Sequence, residues 1–212
     1  MNTLPSLPKD LIQAENDFSN IILERINNIN NNRLAINIKF EGLKLMPIIL
    51  RLGDKLRNND IKFKLLWSDA GSAALAKRDN PQLLEFINSF GEVNSGKSLC
   101  ADDELVIAVS PQPYDYEEFL QLCNSHVGKI IMFNGRLEDT AVGIGSIGRD
   151  RRKTFISSWQ LIYSLEPISK GALMINYPQD WQLFRLDEDG YRYLKSFPNR
   201  PDIDTIAEFL IA

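Results

Sequence analysis

Glu104-Leu-Val-Ile-Ala-Val109 is the stretch from which the fold of this chain is read. Leu105 to Val109 are apolar without interruption, and β-branched residues dominate. A strand with one face in water alternates polar and apolar residues. A continuous run of this length fits a strand covered on both faces, the condition found inside a parallel sheet. Outward from it, Lys129 to Phe133 (KIIMF), Ile61 to Trp67 and the alternating Leu34 to Phe40 also read as strands. Helical spacing separates them. Leu11, Ala14, Phe18, Ile21, Ile22 and Ile26 predict a helix over 8–27 with Pro8 in its first turn. Pro47 opens a helix carrying Ile48, Ile49, Leu52 and Leu56. Ser68-Asp-Ala-Gly71 starts another, Pro81 to Phe90 reads as a short one, and Asp115 with Glu118 looks like a capping box for the next.

The C-terminal third departs from this alternation. A helix is expected over about 149–164, then strands at Ala172 to Tyr177, Trp181 to Asp187 and Gly190 to Leu194, then a closing helix from Asp204 to Ile211. The expected fold is α/β: a three-layer sandwich with a mainly parallel sheet, helices on both faces, and a C-terminal antiparallel hairpin at one edge. No internal repeat or linker divides the chain, so residues 1–212 are expected to form a single domain.

Of the 212 residues, 44% are hydrophobic and 25% charged. That is a globular balance, and the length suffices for a sizeable core. The formal net charge is −4. Nucleic-acid binders carry a basic face, so nucleic acid is not an expected partner. Cys100, Cys123 and His126 are the complete set of cysteines and histidines. A Cys/His zinc site needs about four closely spaced ligands; no metal and no other cofactor is expected. Two scattered cysteines suit a reducing compartment. Met1 to Leu11 lacks the basic-then-apolar order of a secretory signal, and no apolar run approaches the ~20 residues of a membrane span. A cytoplasmic location is expected.

Two glycine motifs require a test of context. Gly91-Glu-Val-Asn-Ser-Gly96-Lys97-Ser98 spells the P-loop pattern. In that loop, backbone N–H groups surround phosphates, with the Lys on the β/γ oxygens and the Ser on Mg²⁺. Such a loop follows a strand and opens a helix. Here a helix is expected before it and a polar turn and strand after it, which inverts the order. A polar helix-to-strand loop fits better, and a P-loop-like hydrolase stays as the alternative. Gly143-Ile-Gly145-Ser-Ile-Gly148 spells the dinucleotide fingerprint. It precedes a helix, but Asn134 to Val142 separates it from the strand before it. A tight loop that lets a helix approach the sheet is the simpler reading. Of the two, this is the better anion candidate, because helix N-termini attract anions and Arg149, Arg151 and Arg152 add charge. Those arginines, with Asp150 and Lys153, also fit a solvated helix face; the competing reading is a docking patch for an acidic partner, a phosphate or a lipid headgroup.

In a parallel sheet, ligands gather beyond the carboxyl ends of the strands. These ends place Ser68, Asp69 and Gly71, then Ser110 and Gln112, then Asn134 and Asp139, at one edge. Capping and turn formation account for the same residue types. Trp159, Tyr163, Tyr177, Trp181 and Tyr191 are read as core and edge packing. His126 lies near a helix end and is expected at the surface or in a turn. No Ser-His-Asp set, Cys-His set or carboxylate pair emerges, so no catalytic residue is proposed.

Several short motifs occur in a definite order: Asp69-Ala-Gly71 with Ala73-Ala-Leu75 and Arg78; Asn134 with Leu137-Glu-Asp139; Val142-Gly-Ile-Gly145; Arg149, Arg152 and Phe155; Tyr163, Leu165 and Pro167; and Tyr177-Pro178 with Trp181. In this order they resemble an uncharacterised domain family of cyanobacteria and plastids. The family includes a plant low-photosystem-II-accumulation protein and a domain fused to a chloroplast adenylate kinase. Gly148 is not part of its pattern, which weakens the dinucleotide reading. The resemblance implies a non-catalytic accessory or assembly factor of oxygenic photosynthesis that acts by protein binding. Photosystem assembly components would be its partners, with peripheral contact at the thylakoid membrane. The candidate partner- or ligand-binding residues are Asp69, Gly71, Asn134, Asp139, Gly143, Gly145, Arg149, Arg151 and Arg152. The alternative is a nucleotide- or phosphate-binding α/β domain, as a P-loop-like hydrolase or a regulatory ligand-binding module.

Overall fold

A computed structural model of the chain describes residues 4–96, 105–138 and 146–211. Among these the elements run α1 (Leu11–Asn20), β1 (Arg33–Ile38), α2 (Leu45–Asn58), β2 (Phe63–Trp67), α3 (Ala70–Asp79), β3 (Ile87–Ser89), α4 (Phe90–Asn94), β4 (Leu105–Val109), α5 (Tyr116–Ser125), β5 (Ile130–Phe133), α6 (Ser146–Ser157), β6 (Gln160–Ile168), β7 (Gly171–Asn176), β8 (Trp181–Asp187), β9 (Gly190–Phe197) and α7 (Ile203–Ile211). The fold is α/β, with a parallel sheet and antiparallel strands toward the C-terminus. The chain gathers into two compact units. One holds Arg25–Ile36 and Lys44–Gln160; the other holds Met1–Glu24, Asn37–Leu43 and Leu161–Ala212.

The first unit is built on parallel strands in the order β3-β2-β4-β5-β1. β4 and β5 are buried at every position. Both faces of the sheet are therefore covered, and this gives the three layers that the Leu105–Val109 run predicts. Ser89, Trp67, Val109, Phe133 and Ile36 lie in register along one line. All the strands thus deliver their carboxyl ends to the same edge.

The second unit is the antiparallel meander β6-β7-β8-β9. The end of β1 belongs to it as well: the Lys39 N–H donates to the Leu165 carbonyl at 2.9 Å. One sheet face carries Leu173, Trp181 and Leu183 and is sealed by Ile206 of α7, with Phe197, Phe209 and Leu210 packed around them. On the other face the Phe18 ring of α1 meets Tyr163 edge-on at 5.8 Å.

Four local expectations need correction. The helix expected over 149–164 stops at Ser157, because the Ser157 and Ser158 hydroxyls donate to the Thr154 and Phe155 carbonyls and close its last turn. The chain then turns into β6, which pairs with β7 and extends the expected C-terminal antiparallel strands by one. Pro81–Phe86 forms a 3₁₀ turn, and Ile87–Ser89 extends as edge strand β3, with Ile87 and Ser89 both buried. The first helix is regular only to Asn20 and continues as a π turn at Ile21–Arg25. The capping box lies one turn earlier than expected, between Gln112 and Asp115, and Asp115 makes no side-chain cap on α5.

Candidate functional site

In the parallel unit, β2 continues through α3 to β3 on one side, and β4 continues through α5 to β5 on the other. The connections diverge between adjacent strands β2 and β4. That is a topological switch point, where the carboxyl edge of an α/β sheet opens into a crevice. Ser68 and Asp69 flank it from β2, and Ser110, Pro111 and Gln112 from β4.

The geometry there is tightly braced. The Asp69 carboxylate accepts the Ser72 N–H at 2.7 Å and caps α3. Those Ser72 hydrogen bonds hold its pKa below the ordinary carboxylate value. Gly71, exposed in the first turn, would bring a Cβ within 3.1 Å of the same carboxylate. Ser110 and Asn134, on neighbouring strand ends, both take left-handed backbone conformations, with φ of 49° and 51°. Few non-glycine residues adopt this conformation. Here the surrounding bonds enforce it: the Ser110 N–H donates to the Phe133 carbonyl at 2.7 Å, and the Asn134 N–H to that of Ile36 at 2.8 Å. The Arg136 N–H reaches the Pro111 carbonyl at 2.8 Å, and the Gln112 amide donates to the carbonyl and hydroxyl of Ser110. Asp69 and Asn134 therefore share one edge, as the parallel topology predicts. Asp139, Gly143 and Gly145 lie outside the described residues. The Asp69 carboxylate is committed to helix capping, and no nucleophile–base pair forms at this edge among the described residues.

The P-loop pattern is not built at residues 91–96. β3 does precede it, contrary to expectation, but Gly91 to Asn94 are helical, and Ser89 caps that helix in a box with Glu92. A phosphate loop would leave this stretch open and begin its helix after Gly96. Lys97 and Ser98 lie outside the described residues. His126 follows α5, as expected, but is buried at 7% exposure.

The basic cluster resolves into two roles. The Arg152 guanidinium lies 4.3 Å from the centroid of Tyr116 and is half-buried. Cation–π contact and packing hold it to the fold. Arg149, Arg151 and Lys153 are exposed and make no ion pair among the described residues. α6 is anchored from beneath: Phe155 meets Tyr116 and Phe119 edge-on at 5.6 and 6.0 Å, and the Arg33 guanidinium covers Phe155 at 5.1 Å. The helix thus presents a basic outer face from a fixed apolar seat.

An open depression of about 990 Å³ between α4 and α5, lined by Asn94, Glu117, Glu118 and Gln121 among others, matches no motif in the sequence. The adjacent pair Glu117-Glu118 was its only signal. The Asn94 amide donates to the Glu118 carbonyl at 2.9 Å. Burial, reinforced by Asp115, pushes the Glu118 carboxyl above its ordinary pKa. A raised folded-state pKa means the fold disfavours the ionised form. The unfavourable contribution is present at neutral pH and disappears as pH falls through the folded pKa. Glu118→Gln should therefore melt above wild type at pH 7, with the two midpoints converging in acid; a midpoint at pH 7 equal to or below wild type would contradict this. Cys123, at the far end of α5, is buried, and burial pushes its thiol up to about 12, which disfavours the thiolate.

The family model described as a domain of unknown function, DUF1995, matches residues 8–208. The chain belongs to this family. The match spans both compact units and every described element from α1 to β9. No curated protein matches the chain. No helix among the described residues is long and apolar enough to cross a membrane.

Proposed function

We propose that this DUF1995 protein is a non-catalytic accessory factor of photosystem biogenesis, working in the cytoplasm or at the thylakoid surface by binding protein. The observation that carries the protein-binding part is the outer face of α6: Arg149, Arg151 and Lys153, exposed and unpaired among the described residues, in a chain of net charge −4. Basic residues clustered against the overall charge attract an acidic surface and steer its approach. The photosynthetic part rests on the ordered motifs from Asp69 to Trp181, which resemble those of plastid and cyanobacterial members.

The test is capture of partners from detergent-solubilised thylakoid membranes by immobilised wild type and by the double variant Arg149→Glu, Arg151→Glu. Arg152 is left intact because it packs on Tyr116. Capture should fall about tenfold in the variant, and wild-type capture should fall similarly when NaCl rises from about 0.05 to about 0.5 M. The thermal midpoint should change little, since exposed charges contribute little stability. Equal capture by the two proteins would remove α6 from the mechanism. Salt-sensitive capture that includes no photosystem or assembly component would keep the docking face and overturn the photosynthetic assignment.

A further inference from the structure

We propose that the antiparallel unit contains a binding site for a small amphipathic anion, with an apolar aromatic or aliphatic body and one acidic group. The site is a half-enclosed cavity of about 370 Å³, within the size range of small-ligand pockets.

Its origin lies in the sheet. Pro167, Ala172 and Phe184 fall opposite one another across β6, β7 and β8 and therefore share one face. α7 seals the opposite face, whereas α1 reaches this one at Tyr163. Beyond Tyr163 the covering chain is the segment 6–9, which lines the cavity with the small side chain of Ala172. Leu165, Pro167 and Ala172 line the cavity together with Phe40 and Tyr191. Leu165 and Ala172 are buried, yet Phe40 and Tyr191 remain 44% and 48% exposed. Folding leaves the two rings half-wet beside an apolar floor. A ligand body that covers them gains the burial the fold does not supply.

The rim specifies charge. Lys9 is the one charged residue among the described lining residues, and its ammonium makes no ion pair among them. A mainly apolar pocket with a single cationic residue in its lining is suited to an amphipathic acid. The sequence pointed to Tyr191 only as edge packing, and Phe40 and Lys9 carried no motif.

The reading is independent of the one made for α6. Its probes are anilinonaphthalene sulfonate, an aromatic body with one anionic group, and phenylnaphthylamine, the same body without the charge. Titrated by fluorescence against the full chain, the sulfonate should saturate a single site. Tyr191→Ala removes a wall and Ala172→Leu fills the floor; each should weaken both probes about tenfold. Lys9→Glu should weaken the sulfonate about three- to tenfold at low salt and leave the neutral probe unchanged. Each variant is first shown to melt cooperatively near the wild-type midpoint, because loosened cores also bind these dyes. If Ala172→Leu does not fold, the half-exposed Tyr191 decides alone. Non-saturating binding, wild-type affinity in Tyr191→Ala, or equal loss of both probes in Lys9→Glu would each overturn the proposal.

Discussion

Phe119→Ala is expected to cost about 3–5 kcal/mol of folding free energy, the range for removing a fully buried aromatic ring. Phe119 has no exposed surface and lies at the centre of the packing that joins α4, α5 and α6. Its ring stacks at 5.5 Å on Phe90 and at 5.5 Å on Trp159, and meets Phe155 edge-on at 6.0 Å. Alanine would leave these three rings facing a void, and Phe90 on α4 cannot move inward together with Phe155 and Trp159 at the end of α6. Domains are stable by only about 5–15 kcal/mol in total, so the loss is a large share of the whole. Urea unfolding should show a much lower midpoint, and limited proteolysis should cut near α6, which depends on Phe155 for its seat. Leu120→Ala, one residue away on the half-exposed side of α5, should cost far less. A Phe119→Ala loss below about 1 kcal/mol would mean that the aromatic cluster does not organise the three helices.

Gly171→Ala should be nearly as damaging, although it adds only a methyl group. A Cβ at Gly171 would lie 2.2 Å from the Phe184 carbonyl oxygen and 3.2 Å from Leu210 Cδ2. The first obstacle is backbone of the paired strand β8, where Gly171 stands opposite Arg185. Relief requires β7 and β8 to separate at the point where the Leu186 N–H donates to the Lys170 carbonyl at 2.8 Å. Overpacking of a fixed core costs about 1–3 kcal/mol, and a backbone obstacle puts this substitution at or above the upper end. The check is a chemical-denaturation series beside Gly91→Ala. Gly91 is helical and its Cβ would meet only the flexible Glu118 carboxylate at 3.2 Å. That variant should be neutral to stabilising by up to about 1 kcal/mol. Equal effects at the two glycines would refute the steric account of Gly171.

The part of the fold set by burial was legible from residue types. Leu105–Val109 and Ile130–Phe133 are apolar throughout because both sheet faces are covered, and the run itself carries that information. Asp69 announced its capping role, and the parallel assignment alone places Asp69 and Asn134 at one edge. β6 was not legible. Its residues continue the apolar spacing of α6 closely enough to pass for helix, and the boundary rests on Ser157 and Ser158 closing the helix end. β3 was hidden for a similar reason: three residues have no period, and only the neighbouring strand β2 draws them into extension.

Of the candidate binding residues, the sequence by itself determined the charge of the 149–153 segment and the chemistry of the strand ends. Only the tertiary structure separated Arg152, held over Tyr116, from Arg149 and Arg151, which face solvent. Composition cannot make that distinction, because which arginine meets a ring depends on how α6 lies on α5. The same limit hid the cavity beside Ala172. Its wall residues come from segments far apart in the chain, Phe40 and Tyr191 among them, and none belongs to a local pattern. Local periodicity records which residues one segment buries. A concavity forms where several segments fail to fill a space between them, and that is decided by packing.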